Sequence, residues 1–415
     1  MTDPTTDPGL SSWVDVPEDS DFPIQNLPLG QIDRGANDLA AAVRIGEHVL
    51  DLRSAAAAGL LDGHARLTLL QTLLFMEPHS WRALRERVST LLSDPRHRAA
   101  VEPHLRPLSE VEVLLPVRSR DYVDFYSSLE HATNLGRMFR PDQEPLLPNW
   151  RRLPVGYHGR SGTVVASGTP IHRPRGIVAK GDEAPAYEPS ARLDLELEVG
   201  FLTGGRSDLG HPIPIEEVGD HLFGLVLVND WSARDIQSFE YQPLGPFLGK
   251  SFATTMSPWI VTMDALEPYR VPGPAQDPRP LPHLRTEQPW AFDIQLEIAL
   301  QAPKMKEPAT VSRTSFRHVY WSMAQQLAHA TSNGATAQPG DLFASGTISG
   351  ADPGSEGSLI ELTENGTRPL TLPDGSTRTF LEDGDTVVLR GWAGGNGRPR
   401  IGFGECRGRI APALS

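Results

Sequence analysis

The chain has 415 residues, of which 39% are hydrophobic and 22% charged, so it is long enough for two or three globular domains with a sizeable core. Its formal net charge of −14 disfavours nucleic acid or an anionic membrane as a partner, and its single cysteine, Cys406, excludes an internal disulfide. The first residues, MTDPTTDPGLSSW, have neither a basic region nor an apolar run. We therefore expect a cytoplasmic chain without a signal peptide or a membrane span.

The N-terminal part predicts a short tail followed by small elements. We expect the first ten or so residues to be flexible, and AAVRIGEHVLDLRSA to form a short strand with a turn at Gly46. In SWRALRERVSTLLS, four apolar residues recur at helical spacing and predict one buried stripe: Trp81, Leu84, Val88 and Leu91. We place the main boundary near Pro116, with a smaller domain over residues 1–116 and a larger one over residues 117–415.

Beyond the boundary most segments predict strands, because they are β-branched or alternating and end at Gly, Pro or Asp. These segments are GTVVASGTPI, DLELEVGFL, LFGLVLVNDWS, PWIVTM, FDIQLEIAL, DTVVLRGWA and IGFGECRGRI. One helix is predicted among them, over TSFRHVYWSMAQQLAHATSNG, with a stop at Gly334. Its buried face would contain Phe316, Val319, Tyr320, Met323 and Leu327. The many prolines from Pro268 to Pro289 predict a surface excursion, because proline does not suit central strands.

The segment RLDLELEVGF raises a specific question about charge. Asp194, Glu196 and Glu198 alternate with apolar residues, which predicts a half-buried strand with three acids on its outer face. Like charges on one face repel each other, so the simplest interpretation is that this face is in contact with solvent. The alternative is that other acids and bases gather around the same place.

Two further segments contain polar residues that core packing does not explain. DYVDFYSSLEHATNLGRMFR contains four of them: Asp124, Tyr126, His131 and Arg140. In LVLVNDWSARDIQSFEY a buried strand ends in an acid and is followed by polar residues at a helical step: Asp230, Arg234, Gln237 and Tyr241. Lys250 and Thr254 follow in GKSFATTMSP. Each residue alone could be an ordinary surface or loop group, but together they suggest one site.

Several common motifs are excluded by their spacing. GPFLGKSF has three residues between Gly245 and Gly249 where a phosphate-binding loop needs four, and Pro246 stiffens the segment. No G-x-S-x-G sequence supports a serine hydrolase, and no Cys/His spacing suits structural zinc.

Six segments together resemble the fumarylacetoacetase family: DYVDFYSSLEHATNLGRMFR, LPVGYHGRSGTVVASGTPI, LDLELEVGF, VLVNDWSARDIQSFEYQPLGPFLGKSFATTMSPWIV, GDLFASGTISG and IGFGECRGRIAPALS. The resemblance extends from about Trp13 to the C-terminus. It implies a mainly β fold, with a small SH3-like β-barrel domain before a large mixed β-roll, and a homodimer. It also implies hydrolysis of a carbon–carbon bond in 4-fumarylacetoacetate to fumarate and acetoacetate, the last step of tyrosine and phenylalanine catabolism.

The resemblance assigns a divalent cation to this site. The residues matching the family's metal position are Asp124, Glu196, Glu198 and Asp230, with Lys250 and Thr254 in the coordination sphere or next to it. An all-oxygen site suits Ca²⁺ or Mg²⁺, and a cation would remove the repulsion on the acidic strand. We expect Asp194 to remain a solvated acid further from the metal.

The resemblance also assigns roles in the reaction. His131 would be the general base and Glu361 would orient it, as in a protease triad. Charge developing on the substrate would be stabilised by Arg234, Gln237 and Lys250. The residues matching substrate contacts are Tyr126, Arg140, Tyr157, Gln237, Tyr241 and Thr347, with Arg140 supplying positive charge for a substrate carboxylate.

Two other functions remain open at this point. One is a metal-dependent acylpyruvate hydrolase or decarboxylase of the wider superfamily, whose chains are usually shorter and lack the N-terminal domain. The other is a calcium-binding scaffold without turnover, in which His131, Lys250 and Glu361 would have no role.

Overall fold

The computed structural model describes residues 3–61, 67–181, 183–395 and 397–415. Residues 3–116 contain a small antiparallel sheet and short helices. Its strands are β1 (Leu29–Asp33), β2 (Leu39–Ile45), β3 (His48–Asp51), β4 (Leu105–Pro107) and β5 (Glu112–Val113), in the order β4-β3-β2-β1-β5. Its helices are α1 (Leu52–Ala57), α2 (Gln71–Leu74), α3 (Pro78–Ser93) and α4 (Arg98–Val101).

Local sequence patterns predicted several of these elements correctly. The turn at Gly46 joins β2 to β3 with a backbone φ of +51°, which glycine adopts without strain. Helix α3 buries Leu84, Val88 and Leu91 as expected, while Trp81 packs at the edge of the same core.

The prediction of a flexible tail is wrong for residues 3–10. Pro4–Thr6 form a 3₁₀ helix, and the buried hydroxyl of Thr5 accepts a hydrogen bond from Arg85 Nε at 2.9 Å. Gln25 also donates to the carbonyl groups of Asp7 and Leu10. The segment is therefore docked by polar contacts that its own composition does not reveal, and residues 1 and 2 lie outside the described part.

In the rest of the chain most of the regular elements are strands. They are β6 (Tyr122–Phe125), β7 (Gly156–His158), β8 (Val164–Ala166), β9 (Ile171–His172), β10 (Arg175–Val178), β11 (Ala186–Pro189), β12 (Leu193–Asp194), β13 (Leu197–Thr203), β14 (Leu222–Asp230), β15 (Ser232–Ala233), β16 (Thr254–Met256), β17 (Val261–Thr262), β18 (Arg270–Val271), β19 (Ala291–Phe292), β20 (Ile294–Gln301), β21 (Ala309–Ser315), β22 (Leu342–Ala344), β23 (Leu370–Thr371), β24 (Thr377–Arg378), β25 (Thr386–Gly395), β26 (Arg398–Gly402) and β27 (Cys406–Ala411). The helices are α5 (Leu129–Phe139), α6 (Arg234–Glu240), α7 (Leu248–Ser251), α8 (Met263–Leu266), α9 (Met323–Thr331) and α10 (Leu359–Leu362).

Two large sheets form the body of this region. The first has eight strands in the order β7-β6-β22-β13-β14-β16-β8, with β17 paired to β14; the second has six, in the order β21-β20-β25-β27-β9, with β26 paired to β25. Both are mixed, because β6–β22, β8–β16 and β9–β27 are parallel pairs among antiparallel ones. A large apolar cluster packs between them, including Leu225, Leu227, Leu296 and Leu389. The expected mainly β chain with a small N-terminal unit and a mixed roll is confirmed, while the division at Pro116 stays a prediction.

The N-terminal unit packs against the eight-stranded sheet. One apolar cluster contains Leu50 and Leu91 from the N-terminal region together with Val226, Val228 and Leu342 from β14 and β22. Since residues alternate in direction along β14, this cluster covers the face of the sheet opposite to Leu225 and Leu227.

Two other expectations need correction. The helix predicted from residue 314 begins only at Met323, where Ser322 and Gln325 form a capping box, and Phe316–His318 are a 3₁₀ turn. The acidic strand is not half-buried: residues 193–203 are all buried, and the strand is interrupted at Leu195. Strand β13 lies between β14 and β22 with both faces covered, so no solvent-facing acidic side exists there.

The proline-rich excursion is as expected, a largely exposed loop between β18 and β19 that contains a short 3₁₀ turn, Pro282–Leu284. Among the described helices none combines the length and the apolar character needed to cross a bilayer.

Candidate active site

Strands β6, β13 and β14 of the eight-stranded sheet bring four buried carboxylates together. Asp124 lies in β6, Glu198 in β13 and Asp230 at the end of β14, while Glu196 immediately precedes β13. We refer to these four residues as the acidic cluster; one oxygen from each lies within 4.8 Å of the others.

The acidic cluster has oxygen atoms that the protein leaves free. Asp124 Oδ1 and Glu198 Oε1 are buried and have no hydrogen-bond partner among the described residues. Burial raises the pKa of both acids well above the ordinary value of a carboxyl group. Repulsion adds to this effect: Asp230 raises the pKa of Asp124, and Asp124 raises that of Glu198. A buried polar atom without a partner is costly. These two bare oxygens converge with oxygens of Glu196 and Asp230, and an all-carboxylate set of this kind is what a hard divalent cation prefers, so the residues present fit such an ion.

Lys250 and Thr254 contact the acidic cluster directly. Lys250 Nζ donates to Glu196 Oε2 at 2.6 Å and to Asp230 Oδ2 at 2.7 Å, and Thr254 Oγ1 donates to Asp230 Oδ1 at 3.1 Å. An ammonium group has no lone pair, so Lys250 serves as a donor and counter-charge, whereas the Thr254 hydroxyl keeps lone pairs for a cation. Burial lowers the pKa of Lys250, but Asp230 and Glu196 more than offset this and raise it.

Arg234 approaches the acidic cluster from the start of α6. Arg234 Nη1 lies 2.7 Å from Glu196 Oε1 and 3.4 Å from Gln237 Oε1. Burial raises the pKa of Glu196, but Lys250 and Arg234 overcome this and lower it. The two cationic side chains therefore keep Glu196 ionised.

Asp194 is not the solvated acid that we expected. Its side chain is fully buried, and its Oδ2 accepts a hydrogen bond from Arg234 Nε at 2.9 Å. The alternating pattern suggested a solvent-facing acid, but the arginine that pairs with it comes from a helix 40 residues further along the chain. Local alternation cannot reveal such a partner.

A second group of residues lies next to the acidic cluster. His131, in the first turn of α5, shares a 2.7 Å hydrogen bond between its Nδ1 and Glu361 Oε2 of α10, and both side chains are buried. Burial raises the pKa of Glu361, but interaction with His131 outweighs this, and the pKa is lowered. An ionised Glu361 is an acceptor for a proton carried on Nδ1 of His131.

Glu361 has three further donors that sequence reasoning did not identify. Asn134 Nδ2 lies 2.9 Å from Oε1, and Ser358 Oγ lies 2.7 Å from Oε2. Ser349 Oγ is within 3.0 Å of both oxygens. The i, i+3 spacings of His131 with Asn134 and of Ser358 with Glu361 were available in the sequence, but they become informative only once the two helices are known to face each other.

The backbone joins the two groups. Glu196 and Ser358 form an isolated antiparallel bridge, and the amide of Leu197 donates to Gly357 O at 2.9 Å. The positive charge that His131 can carry also contributes to lowering the pKa of Glu196. A histidine with a carboxylate partner and the acidic cluster therefore share one buried region.

Of the residues expected to contact substrate, most lie around this region. Tyr157 donates to Asp230 Oδ2 at 2.9 Å, and the ring of Tyr126 meets the ring of His131 edge-on at 5.3 Å. Thr347 Oγ1 is buried without a partner among the described residues. It follows Gly346, whose amide donates to Glu198 Oε2 at 3.1 Å.

Arg140 and Tyr241 are less closely engaged. Arg140 donates a hydrogen bond to Pro145 O, but its Nε has no partner among the described residues. The positive charge of Arg140 acts to lower the pKa of Tyr126, against the larger effect of burial. Tyr241 caps the C-terminal end of α6, is 45% exposed, and accepts a hydrogen bond from Gln242. Within the described contacts Tyr241 is not brought against the acidic cluster, so its role as a substrate contact stays a prediction.

Two known families together match nearly the whole chain. Residues 25–116 match the family described as fumarylacetoacetase N-terminal, and residues 121–411 match the one described as fumarylacetoacetate (FAA) hydrolase C-terminal.

Individual relatives extend this similarity. The chain is 48% identical to the fumarylacetoacetase of Rattus norvegicus over 417 residues, covering 97% of this chain and 99% of the relative. It is 47% identical to the fumarylacetoacetase of Homo sapiens, with the same coverage. Among solved structures, the fumarylacetoacetate hydrolase of Exiguobacterium antarcticum matches with a TM-score of 0.52 at 16% identity, covering 93% of this chain and 99% of that one, and so shares the fold.

Proposed function

The chain belongs to the fumarylacetoacetase family, and we propose that it hydrolyses a carbon–carbon bond of 4-fumarylacetoacetate, yielding fumarate and acetoacetate as the last step of tyrosine and phenylalanine catabolism. The observation that carries this proposal is the buried His131–Glu361 pair next to the acidic cluster. His131 can activate water, and the acidic cluster could hold a cation, which would polarise a ketone when bound.

His131 is the general base in this proposal. Because Glu361 binds Nδ1–H at 2.7 Å, Nε2 can take a proton from water as the water oxygen attacks the ketone carbon. Glu361 then stabilises the imidazolium, and Asn134, Ser349 and Ser358 keep the carboxylate in place. The buried setting strengthens each of these interactions.

Cationic side chains act as the bond breaks. The electron pair of the cleaved carbon–carbon bond passes to the acetoacetate fragment as an enolate, which takes up a proton to complete the reaction. Lys250 and Arg234 are buried at one edge of the acidic cluster and can stabilise negative charge there, with Gln237 as a further donor. Arg140 would bind a substrate carboxylate, with Tyr126, Tyr157, Tyr241 and Thr347 as further contacts.

A divalent cation, which we propose to be Ca²⁺ or Mg²⁺, would be held by Asp124, Glu196, Glu198 and Asp230, with Thr254 as a neighbouring hydroxyl. When bound it would supply Lewis acidity at the attacked ketone and offset the charge of the acidic cluster. We further propose a cytoplasmic homodimer, by analogy with the family.

The test is a direct assay with purified protein. Loss of the diketone absorbance should be fast with fumarylacetoacetate and at least an order of magnitude slower with acylpyruvates, and elemental analysis of protein purified without added ions should find calcium or magnesium. Faster turnover of acylpyruvates would assign the chain to another branch of the superfamily. A metal-bound protein inert to every diketone would instead indicate a binding scaffold.

A further inference from the structure

Asp194 accepts hydrogen bonds from two separate parts of the candidate active site. Its Oδ2 accepts a hydrogen bond from Arg234 Nε at 2.9 Å, and Arg234 Nη2 lies 2.8 Å from the same oxygen. The backbone amide of Leu359 donates to Oδ1 at 2.8 Å, and that of Ile360 donates to Oδ2 at 3.1 Å. The side chain is fully buried, so water does not replace these partners.

The first connection leads to the acidic cluster. Arg234 places Nη1 2.7 Å from Glu196 Oε1 while its Nε stays on Asp194. A guanidinium is planar, so fixing one edge of it on Asp194 fixes the direction of the other edge. The orientation of Glu196 within the cluster therefore depends on Asp194 through a single rigid group.

The second connection leads to the His131–Glu361 pair. Leu359 and Ile360 form the first turn of α10, and the side chain of Ser358, at the usual capping position, makes no capping hydrogen bond. Instead Ser358 Oγ donates to Glu361 Oε2 at 2.7 Å. Asp194 thus supplies the acceptor that the helix start requires and frees Ser358 to hold Glu361.

We propose that Asp194 is a positioning residue that sets the geometry of the His131–Glu361 pair relative to the acidic cluster. It does not touch the reacting atoms: it acts through Arg234 on one side and through the first turn of α10 on the other. The inference builds on the proposed function, but its main observables are metal affinity and backbone protection, which need no turnover. Failure of either proposal can therefore be recognised separately.

Asp194→Asn is the decisive variant, because it keeps the shape of the side chain and replaces one acceptor oxygen by a donor. In one orientation the new amide group faces the donor of Leu359, and in the other it faces the donors of Arg234 and Ile360, so at least one connection is lost. Residues that support metal ligands typically contribute 10- to 100-fold to metal affinity or activity, so we expect Ca²⁺ affinity by calorimetry to fall by about that factor. Turnover should fall by about 100-fold with KM within about threefold, and hydrogen exchange across residues 357–363 should become faster.

Asp51 offers a matched control. It is fully buried, lies 2.8 Å from Arg34 Nη1, and caps α1 by accepting from the amide of Ser54, so it also joins an arginine to a helix start. Asp51→Asn should lower the melting temperature without changing Ca²⁺ affinity or turnover. A second control, Ser358→Ala, removes a bond to Glu361 alone and should slow turnover while metal affinity stays within twofold.

If Asp194→Asn behaves like Asp51→Asn, with metal affinity and turnover within twofold of the wild type, the proposal is wrong. If the variant does not fold, the wild-type protein provides the test. Adding Ca²⁺ should then slow exchange of the amides of Leu359 and Ile360 at least threefold, although α10 contributes no residue to the acidic cluster. Unchanged exchange at these amides on Ca²⁺ binding would overturn the coupling.

Discussion

Replacing Lys250 by methionine should abolish most turnover while the protein remains folded and able to bind metal. The ammonium is buried and lies 2.6 Å from Glu196 and 2.7 Å from Asp230. Both acids keep other donors in the variant: Arg234 on Glu196, and Tyr157 on Asp230. The substitution therefore removes one positive charge without leaving either carboxylate bare.

The size of the effect follows from the role of the ammonium. A preorganised donor that meets developing charge in a dry site contributes about 3 kcal/mol to the transition state. Since each 1.36 kcal/mol is a factor of ten, kcat should fall roughly 100- to 200-fold. KM should change by less than about threefold, because the enolate charge develops only as the bond breaks. Lys250→Arg should restore only part of the rate, since a wide planar fork does not fit the space of a compact ammonium.

The assay combines steady-state kinetics on the diketone with elemental analysis and a thermal-shift titration with ATP. Metal content should match that of the wild type, because an ammonium is not a ligand. ATP should leave the melting temperature unchanged, as expected for a lysine that is not part of a phosphate-binding loop. Lys304→Met, at an exposed position, should keep full activity. Wild-type turnover in Lys250→Met, or clear stabilisation by ATP, would refute the active-site role.

Three further predictions address other parts of the site. Asp124→Ala should lower metal occupancy and activity together, and full occupancy by elemental analysis would remove Asp124 from the ligand set. His131→Ala should lose most turnover at nearly unchanged KM, and Glu361→Gln should lose less, because glutamine still positions the ring; wild-type rates in His131→Ala would refute the base assignment. Gly346→Ala should destabilise the protein by at least about 1 kcal/mol in urea unfolding, because φ is +75° and a Cβ would lie 2.1 Å from Phe125 O; an unchanged unfolding midpoint would contradict this reasoning.

Elements with a strong local pattern could be predicted from the sequence. Helix α3 has an uninterrupted apolar stripe, and the β2–β3 hairpin has a glycine where the turn needs one. The helix predicted from residue 314 started too early, because Phe316 is buried from a 3₁₀ turn and Val319 from a segment that forms a bridge with Ser128. Apolar spacing alone does not distinguish a buried turn from the first turn of a helix.

The gathering of the four acids was predicted from the resemblance, but the residues that support them were not predicted. Asp194 was misassigned because alternation in a strand indicates which residues share a face, not whether that face meets water. Its partners, Arg234 and the first turn of α10, are 40 and about 165 residues away along the chain. Ser349 and Asn134 were missed for the same reason, since a hydroxyl or an amide acquires meaning only from what lies opposite it.

The shared apolar cluster between the N-terminal unit and the eight-stranded sheet has a consequence for how the protein unfolds. Val226, Val228 and Leu342 are completely buried, and they pack in the same cluster as Leu50 and Leu91. Separating the two regions would expose these apolar residues of the sheet whose strands hold the acidic cluster. The chain should therefore melt in a single cooperative transition, and the C-terminal region expressed alone should aggregate. The N-terminal region thus covers apolar residues of the sheet that carries the acidic cluster, even though it provides no residue of that cluster.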